Sequence, residues 1–207
     1  MIDFIVCTNK PEVLKNNLLR SKVIQKYGSQ EMMGFKNIPE AYNVATPSLP
    51  PGVVCYVHQD VFLPDTFEEE LANTLKLVPY DWGVIGVAGC ILENGKKVNK
   101  GYINDRGHVW GKPDGLPAEV QTLDEMLLIT RGDFKFDDQF PFDFYGADIC
   151  MQAQAQGKKC YAINAYCFHN STRVVGGRTK EFYIAEDKFR EKWRAQLPIV
   201  TTCSLIK

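Results

Sequence analysis

The chain has 207 residues, of which 45% are hydrophobic and 24% charged, and its formal net charge at pH 7 is −1. A chain of this length can bury a substantial core, and with no visible linker we expect a single domain over residues 1–207. The near-zero charge argues against nucleic acid or an acidic membrane surface as a partner. No apolar stretch approaches the roughly 20 residues of a membrane helix, so we expect no transmembrane segment. Asp3 and Lys10 interrupt the N-terminal apolar run before it could serve as a signal peptide.

Cysteine usage indicates a reducing compartment. The chain has seven cysteines, an odd number, and no C-x-x-C pair. Five of them lie inside apparent strands: Cys7, Cys55, Cys90, Cys160 and Cys167. Buried, reduced thiols are typical of a cytoplasmic protein, which is the localisation we predict.

Strands and helices alternate along the first half of the chain. The predicted elements are, in order, a strand at residues 2–7, a helix from Pro11, a short strand at 23–27, a short helix at 39–46, a strand at 53–61, a helix from Asp65 and a strand at 82–90. The run Asp65-Thr66-Phe67-Glu68 has the pattern of a capping box, with Asp65 in the cap position. Such alternation predicts a mostly parallel α/β sheet.

The second half of the chain begins with a change of character. Residues 91–119 are rich in turn-forming residues, and Asn94-Gly95 predicts a tight hairpin inserted into the fold. After it we predict a strand at 120–131, a helix at 146–156, a strand at 159–168 that ends in His169, and a last helix ended by Pro198. The hairpin and the acid-bearing strand predict a mixed edge to the sheet.

The run at residues 53–61 is apolar enough to predict a buried central strand. It ends in His58 and Asp60, which are two residues apart and therefore face the same side of an extended backbone. Ligands of open α/β sheets bind at the carboxyl ends of strands, and His169 ends a second apolar run. These side chains suit a divalent cation held against a phosphate. The alternative is a strand end that simply meets water.

Zinc is a second possible reading of the same strand ends. Cys55, His58, Cys167 and His169 are all of a type that binds zinc. Cys55 and His58 are three residues apart, however, and point to opposite faces of a strand. The pattern therefore favours the carboxylate–imidazole site.

Several stretches, in this order along the chain, resemble glycosyltransferases of the GT-A type. They are Pro-Glu-Ala-Tyr-Asn at 39–43, Tyr-Val-His-Gln-Asp-Val-Phe-Leu-Pro at 56–64, Val-Gln-Thr-Leu-Asp-Glu-Met-Leu-Leu at 120–128, Phe-Tyr-Gly-Ala-Asp-Ile-Cys at 144–150 and Phe-His at 168–169. More narrowly, the chain is similar to a small family-2-like domain related to a streptomycin-biosynthesis protein. The resemblance covers about residues 38–170, and it rests on the ordered set because each stretch alone is unspecific.

The resemblance implies a GT-A fold, a nucleotide-diphosphate sugar as donor, Mn²⁺ or Mg²⁺ as cofactor, and transfer of the sugar to a hydroxyl of an unknown glycan or glycoconjugate. It places the metal at Asp60 and His169 and the catalytic base of an inverting reaction at Asp148. The predicted donor contacts are Thr8, Asn9, Asn43, His58, Gln59, Asp124, Arg173 and Arg178.

Some of these assignments have a structural alternative. Asp148 lies in the first turn of a predicted helix, where a carboxylate also serves as a cap. Arg173 and Arg178 flank a glycine pair that would let them close over a diphosphate, but a charged surface loop has the same composition. Asp124 and Glu125 point to opposite faces of their predicted strand, and we take Asp124 as the sugar or acceptor contact and Glu125 as structural.

Two rival functions follow from departures in the sequence. Ala147 stands where the family usually has a Glu before the base, and Ser29-Gln30 where an Asp often reads the nucleotide base. These departures leave the nucleotide base open, and the missing Glu keeps a sugar-nucleotide-binding domain without turnover as an alternative. A nucleotidyltransferase shares the architecture, but residues 7–11 lack the glycine-rich basic loop of that class. We predict an inverting, metal-dependent glycosyltransferase.

Overall fold

The computed structural model describes residues 2–49, 52–171 and 177–207. The helices are α1 (Pro11–Asn16), α2 (Lys22–Tyr27), α3 (Ile38–Ala45), α4 (Phe67–Leu77), α5 (Tyr145–Ala155) and α6 (Lys180–Lys192). The strands are β1 (Ile2–Thr8), β2 (Gln30–Met33), β3 (Val53–Val57), β4 (Val61–Phe62), β5 (Trp82–Gly86), β6 (Ala88–Glu93), β7 (Lys96–Asp105), β8 (His108–Gly111), β9 (Ala118–Val120), β10 (Thr122–Leu123), β11 (Leu127–Thr130), β12 (Lys159–Ala162), β13 (Phe168–His169), β14 (Ile199–Val200) and β15 (Leu205–Ile206). None of these helices combines the length and apolar character that a bilayer span requires.

A seven-stranded mixed sheet forms the centre of the fold, in the order β2-β1-β3-β11-β5-β12-β9. The β1 strand pairs in parallel with β2 and β3, while β11 runs antiparallel between β3 and β5. Alternate residues of β3 enter different cores: Val54 and Tyr56 face one side, and Cys55 and Val57 the other. Helices α3, α5 and α6 cover the first face, and α1, α2 and α4 the second. The predicted α/β sheet flanked by helices is confirmed.

A smaller sheet, β10-β6-β7-β13-β4, carries the inserted hairpin. The turn at Asn94-Gly95 joins β6 to β7, with φ of 50° and 73°, as the sequence predicts. A second tight turn at Arg106-Gly107 joins β7 to β8, with φ of 51° and 83°. The β13 strand, which carries His169, lies between β7 and β4. The inserted hairpin therefore pairs with this strand through β7.

Four predicted elements differ in the structure. Residues 23–27 belong to helix α2, which ends at Gly28 with φ of 80°; the second strand is instead Gln30–Met33. A short apolar run fits either structure, and Val23 and Ile24 are buried by the helix. Thr66, not Asp65, is the residue before α4, and its side chain makes no capping hydrogen bond. The Asp65 carboxylate instead forms an ion pair with Lys22.

The other two differences lie near the site. The predicted strand at 120–131 is broken into β9, β10 and β11, and Asp124 and Glu125 lie in the connection between β10 and β11. The argument that these acids face opposite sides of one strand is therefore wrong. The predicted strand at 159–168 ends at Ala162, and His169 lies on the separate strand β13 in the smaller sheet.

Candidate active site

Strand ends and backbone hydrogen bonds bring His58, Asp60 and His169 together. The β3 strand ends at Val57, and the chain turns through His58 and Asp60 into β4. His169 on β13 is the antiparallel partner of Val61 on β4. The amide of Asn170 donates to the Asp60 carbonyl at 2.9 Å, which closes the ladder beside the turn. The predicted convergence of these strand ends is therefore present, across two sheets instead of one.

The geometry of these three side chains suits a cation. One ligand atom from each of His58, Asp60 and His169 lies within 4.8 Å of the others, and this is the only such group among the described residues. Asp60 Oδ1 is buried without a hydrogen-bond partner, and His169 Nε2 lies 3.6 Å from it. A buried, unpartnered carboxylate oxygen is costly unless a positive group meets it. The residues therefore fit the metal that the resemblance implies.

Each histidine of this group is held through its other ring nitrogen. His169 Nδ1 lies 3.0 Å from Asp105 Oδ1, and His58 Nε2 lies 2.6 Å from the Tyr145 hydroxyl. Tyr145 therefore engages Nε2 of His58, and Nδ1 is the ring nitrogen outside this contact. Burial lowers the pKa of His58, against the Asp60 and Asp124 charges that raise it. A lowered pKa keeps the imidazole neutral, as metal binding requires.

A pocket of about 680 Å³ opens beside His169. Its lining combines acids, cations, aromatic rings and hydroxyls: Asp105, Arg106, Trp110, Asp124, His169, Ser171, Arg178, Phe182, Tyr183 and Thr202, among others. Asp124 Oδ2 accepts from the Thr202 hydroxyl at 2.8 Å, and Oδ1 accepts from the Met126 amide at 3.1 Å. These bonds fix the carboxylate at the pocket wall. The predicted sugar or acceptor contact thus lies where a substrate can reach it.

Three of the predicted donor contacts form one hydrogen-bonded group at the ends of β1 and β3. Gln59 Oε1 accepts from the Thr8 hydroxyl at 2.7 Å and from the Lys10 amide at 3.1 Å. Gln59 Nε2 donates to Asn9 Oδ1 at 3.1 Å. The group ties the loop after β1 to the turn that carries Asp60, next to the metal-ligand set.

The other predicted donor contacts have different surroundings. Asn43 clamps the backbone of Phe136, donating to its carbonyl at 2.7 Å and accepting from its amide at 2.9 Å, so it holds a loop instead of facing the pocket. Arg178 lines the pocket, donates to the Cys203 carbonyl and stacks 4.8 Å from the Phe182 ring. Arg173 lies outside the described residues.

The structure does not bring Asp148 into the site. This carboxylate is fully buried, and both oxygens are occupied: Oδ1 by Lys192 Nζ at 2.7 Å and Trp193 Nε1 at 2.8 Å, Oδ2 by Gln152 Nε2 at 2.7 Å. It links α5 to the end of α6. The predicted base therefore has the contacts of a structural residue, and it is not among the described residues that line the pocket beside Asp124.

Two further carboxylates lie near the site: Glu125, which the sequence predicts to be structural, and Asp105, which the sequence-based reasoning missed. Glu125 is half-buried against the start of α5, where its Oε1 lies 3.4 Å from the Gly146 amide. A Cβ at position 146 would lie 2.6 Å from Glu125 Cγ, so only glycine fits there. Asp105 reaches His169 through the register of β7 and β13. The hairpin pattern around Asp105 gave no sign that this residue meets His169.

The comparison with protein families decides what this arrangement belongs to. The sequence profile of a family described as "Glycosyltransferase like family" matches residues 3–182. The chain belongs to this glycosyltransferase-like family. All three metal-ligand candidates lie inside the matched range, as do Asp105 and Asp124.

Solved structures with the same fold are glycosyltransferases of the GT-A type, so the predicted GT-A fold is confirmed. TarS residues 1–349 of S. aureus match with a TM-score of 0.56 and 14% identity, covering 92% of this chain and 64% of that one. The mannosyltransferase PcManGT of Pyrobaculum calidifontis, in complex with GDP-Man and Mn²⁺, matches with a TM-score of 0.56 and 10% identity, covering 95% and 64%. TarS has also been solved with UDP-GlcNAc.

One relative found by sequence has a name that states no activity. The protein "ATP synthase subunits region ORF 6" of Fuscovulum blasticum is 26% identical over 159 residues, which are 70% of this chain and 61% of that protein. The chain therefore spans about three fifths of this relative's length.

Proposed function

We propose that this glycosyltransferase-like domain moves a sugar from a nucleotide-diphosphate sugar to an acceptor hydroxyl, with inversion and with the help of a divalent transition metal. The observation that carries the proposal is the His58–Asp60–His169 set beside a pocket whose wall presents the carboxylate of Asp124. Structures that share the fold bind GDP-Man or UDP-GlcNAc, which supports the donor class.

The ligand set indicates the class of metal. Two imidazoles and one carboxylate are typical of transition metals, whereas Mg²⁺ prefers oxygen ligands in octahedral geometry. We therefore favour Mn²⁺ over Mg²⁺. A bound cation of this kind neutralises negative charge on the departing diphosphate. In the chain itself, Asp60 supplies one carboxylate and each of the two histidines supplies one imidazole nitrogen.

The donor is placed between the two halves of the site. Thr8, Asn9 and Gln59 lie on the β1 side of Asp60 and offer hydroxyl and amide groups to the nucleoside. The pocket lined by Asp124 lies on the His169 side and receives the sugar and the acceptor. In this proposal the diphosphate lies over Asp60, between the nucleoside and the transferred sugar.

Asp124 is the base in this proposal. Among the described residues, the pocket wall carries two carboxylates, Asp105 and Asp124, and Asp105 is held by His169 and Arg106. Asp124 takes the proton of the acceptor hydroxyl as its oxygen attacks the anomeric carbon and the bond to the diphosphate breaks. A single base is what direct displacement with inversion needs.

A thermal-shift panel tests the proposal. The full chain is titrated with UDP-, GDP-, CMP- and dTDP-sugars, each with and without Mn²⁺. A donor at a hundred times its dissociation constant adds about 2.7 kcal/mol of apparent stability. We expect one nucleotide class to raise the unfolding temperature, and only with metal. A panel in which no sugar nucleotide shifts the transition would contradict the proposal.

A further inference from the structure

We propose that Asp105, the last residue of β7, is a positioning residue that orients His169 for metal binding. The inference rests on the proposed function, because it concerns the same metal-ligand set. The inference gives the inserted strand β7 a role in the site, although neither the sequence pattern nor the family resemblance assigns a role to this strand.

The backbone register fixes the pair. Asp105 on β7 is the parallel partner of His169 on β13, and Asn104 is the partner of Phe168. The Asn104 amide donates to the Cys167 carbonyl and the Arg106 amide to the His169 carbonyl, both at 2.9 Å. The strand pairing therefore makes the two residues neighbours.

The hydrogen bond determines which nitrogen of His169 is available. An ionised carboxylate only accepts, so Asp105 Oδ1 at 3.0 Å requires the ring proton on Nδ1. The lone pair is then on Nε2, the atom that faces Asp60 Oδ1 at 3.6 Å. A metal-bound histidine typically donates its other N–H to a carboxylate in this way, which orients the ring and raises its basicity as a ligand.

The second oxygen of Asp105 is held as well. Arg106 donates to Oδ2 from Nε at 3.1 Å and from Nη2 at 2.7 Å. The tight turn behind it is fixed by the Gly107 amide, which donates to Asn104 Oδ1 at 2.8 Å. Because each oxygen has its own partner, the carboxylate keeps one orientation towards His169.

Two readouts separate positioning from a purely structural role. Long-range ¹H–¹⁵N NMR of the imidazoles in the metal-free full chain reports the tautomer of each neutral ring. We expect the Nδ1–H form of His169 in the parent and in Asp105→Asn, whose amide oxygen still accepts. We expect a shift towards the Nε2–H form in Asp105→Ala. An unchanged tautomer in a folded Asp105→Ala variant would overturn the proposal.

The second readout is affinity for Mn²⁺ alone, measured by calorimetry without sugar nucleotide. Loss of such a partner weakens metal binding about 10- to 100-fold, which we expect for Asp105→Ala, with a smaller loss for Asp105→Asn. Asp114→Ala is the matched control, because Asp114 is an exposed carboxylate shortly after β8. Equal affinity of the parent and Asp105→Ala would overturn the proposal.

The design keeps the two levels of inference apart. If the parent itself did not bind Mn²⁺, the metal part of the proposed function would fail, and the tautomer measurement would still decide the role of Asp105. If the parent bound Mn²⁺ and both Asp105 variants matched it, only the positioning role would fail. Unfolding temperatures of the metal-free variants confirm that each one is folded.

Discussion

Asp148 Oδ1 lies 2.7 Å from Lys192 Nζ, inside the interface between the helices α5 and α6. Trp193 Nε1 donates to the same oxygen at 2.8 Å, and Lys192 also contacts Asp137 at 2.8 Å. The residue that the family resemblance assigns as base is thus the central acceptor of a buried network. Its contacts predict a role in stability.

We therefore expect Asp148→Asn to destabilise the protein while leaving turnover nearly intact. The change removes the charge that meets Lys192 and turns one acceptor into a donor. Hydrogen bonds to charged groups contribute about 1.5–3 kcal/mol, and we expect a loss of that size in the free energy of unfolding, measured with urea. Turnover of the donor found in the thermal-shift panel should fall less than about tenfold, because general-base catalysis is worth more than that.

The opposite pattern is expected at Asp124. Asp124→Asn keeps the shape and an oxygen for the Met126 amide, and its amide can donate to the Thr202 hydroxyl. It can no longer take a proton, so we expect sugar transfer to slow by about 10²–10⁴-fold with donor affinity retained. Rates under single turnover and affinities from calorimetry check both halves of this prediction.

Thr202→Val is the matched control for that experiment. It removes the hydroxyl that holds Asp124 Oδ2 and leaves the carboxylate in place. We expect a loss of less than about tenfold in rate. Equal losses of transfer rate in Asp124→Asn and Thr202→Val would show that Asp124 is not the base. Slow transfer by Asp148→Asn together with fast transfer by Asp124→Asn would show the same.

Glu125 predicts a pH dependence of stability. Burial, followed by the charges of Asp124 and Asp143, raises the pKa of this carboxyl well above its ordinary value of 4.5, against the Gly146 and Phe144 amides that lower it. The folded state therefore holds a proton that the unfolded chain releases. Its contribution to stability is complete below the unfolded pKa and is lost as the pH rises towards the folded pKa.

Urea unfolding between about pH 5 and pH 8 measures this loss. The glutamine of Glu125→Gln is neutral at every pH. As the pH rises, the parent's free energy of unfolding should therefore fall relative to that of the variant, by up to about 1.4 kcal/mol per pH unit while the parent's carboxyl stays protonated in the folded state. Glu69→Gln on the exposed side of α4 is the control and should run parallel to the parent. Parallel curves for Glu125→Gln as well would show that Glu125 is ionised in the folded protein.

The sequence predicts the parts of the site that follow from local patterns. The apolar run into His58 and Asp60 identifies a central strand, and the strand-end rule brings His169 towards it. Asn94-Gly95 identifies the hairpin because few other dipeptides adopt its backbone angles. Each of these signals depends on residues that are close together in the chain.

The parts that the sequence does not predict depend on distant pairings. Asp105 meets His169 only through the register of β7 with β13, and a hairpin sequence carries no information about its third neighbour. Asp148 looks like a base until Lys192 and Trp193 are placed against it. The prediction of a strand at residues 23–27 was wrong because a short apolar run suits a buried helix as well as a strand.

The metal-ligand set carries the central claim. Asp60 supplies the one carboxylate of the His58–Asp60–His169 set, and its Oδ1 is buried with no hydrogen-bond partner. Asp60→Asn keeps the volume of the side chain and removes its charge, while the backbone bond from Asn170 to the Asp60 carbonyl is unaffected. Asp65→Asn, a change at an exposed carboxylate of the following loop, is the control.

The most direct test is calorimetric titration of sugar nucleotide into the parent, Asp60→Asn and Asp65→Asn, each with and without Mn²⁺. We predict that the parent and Asp65→Asn bind the donor much more tightly with Mn²⁺ than without it. We predict that Asp60→Asn, though folded, loses most of this difference. Metal-dependent donor binding that is unchanged in Asp60→Asn would contradict the account.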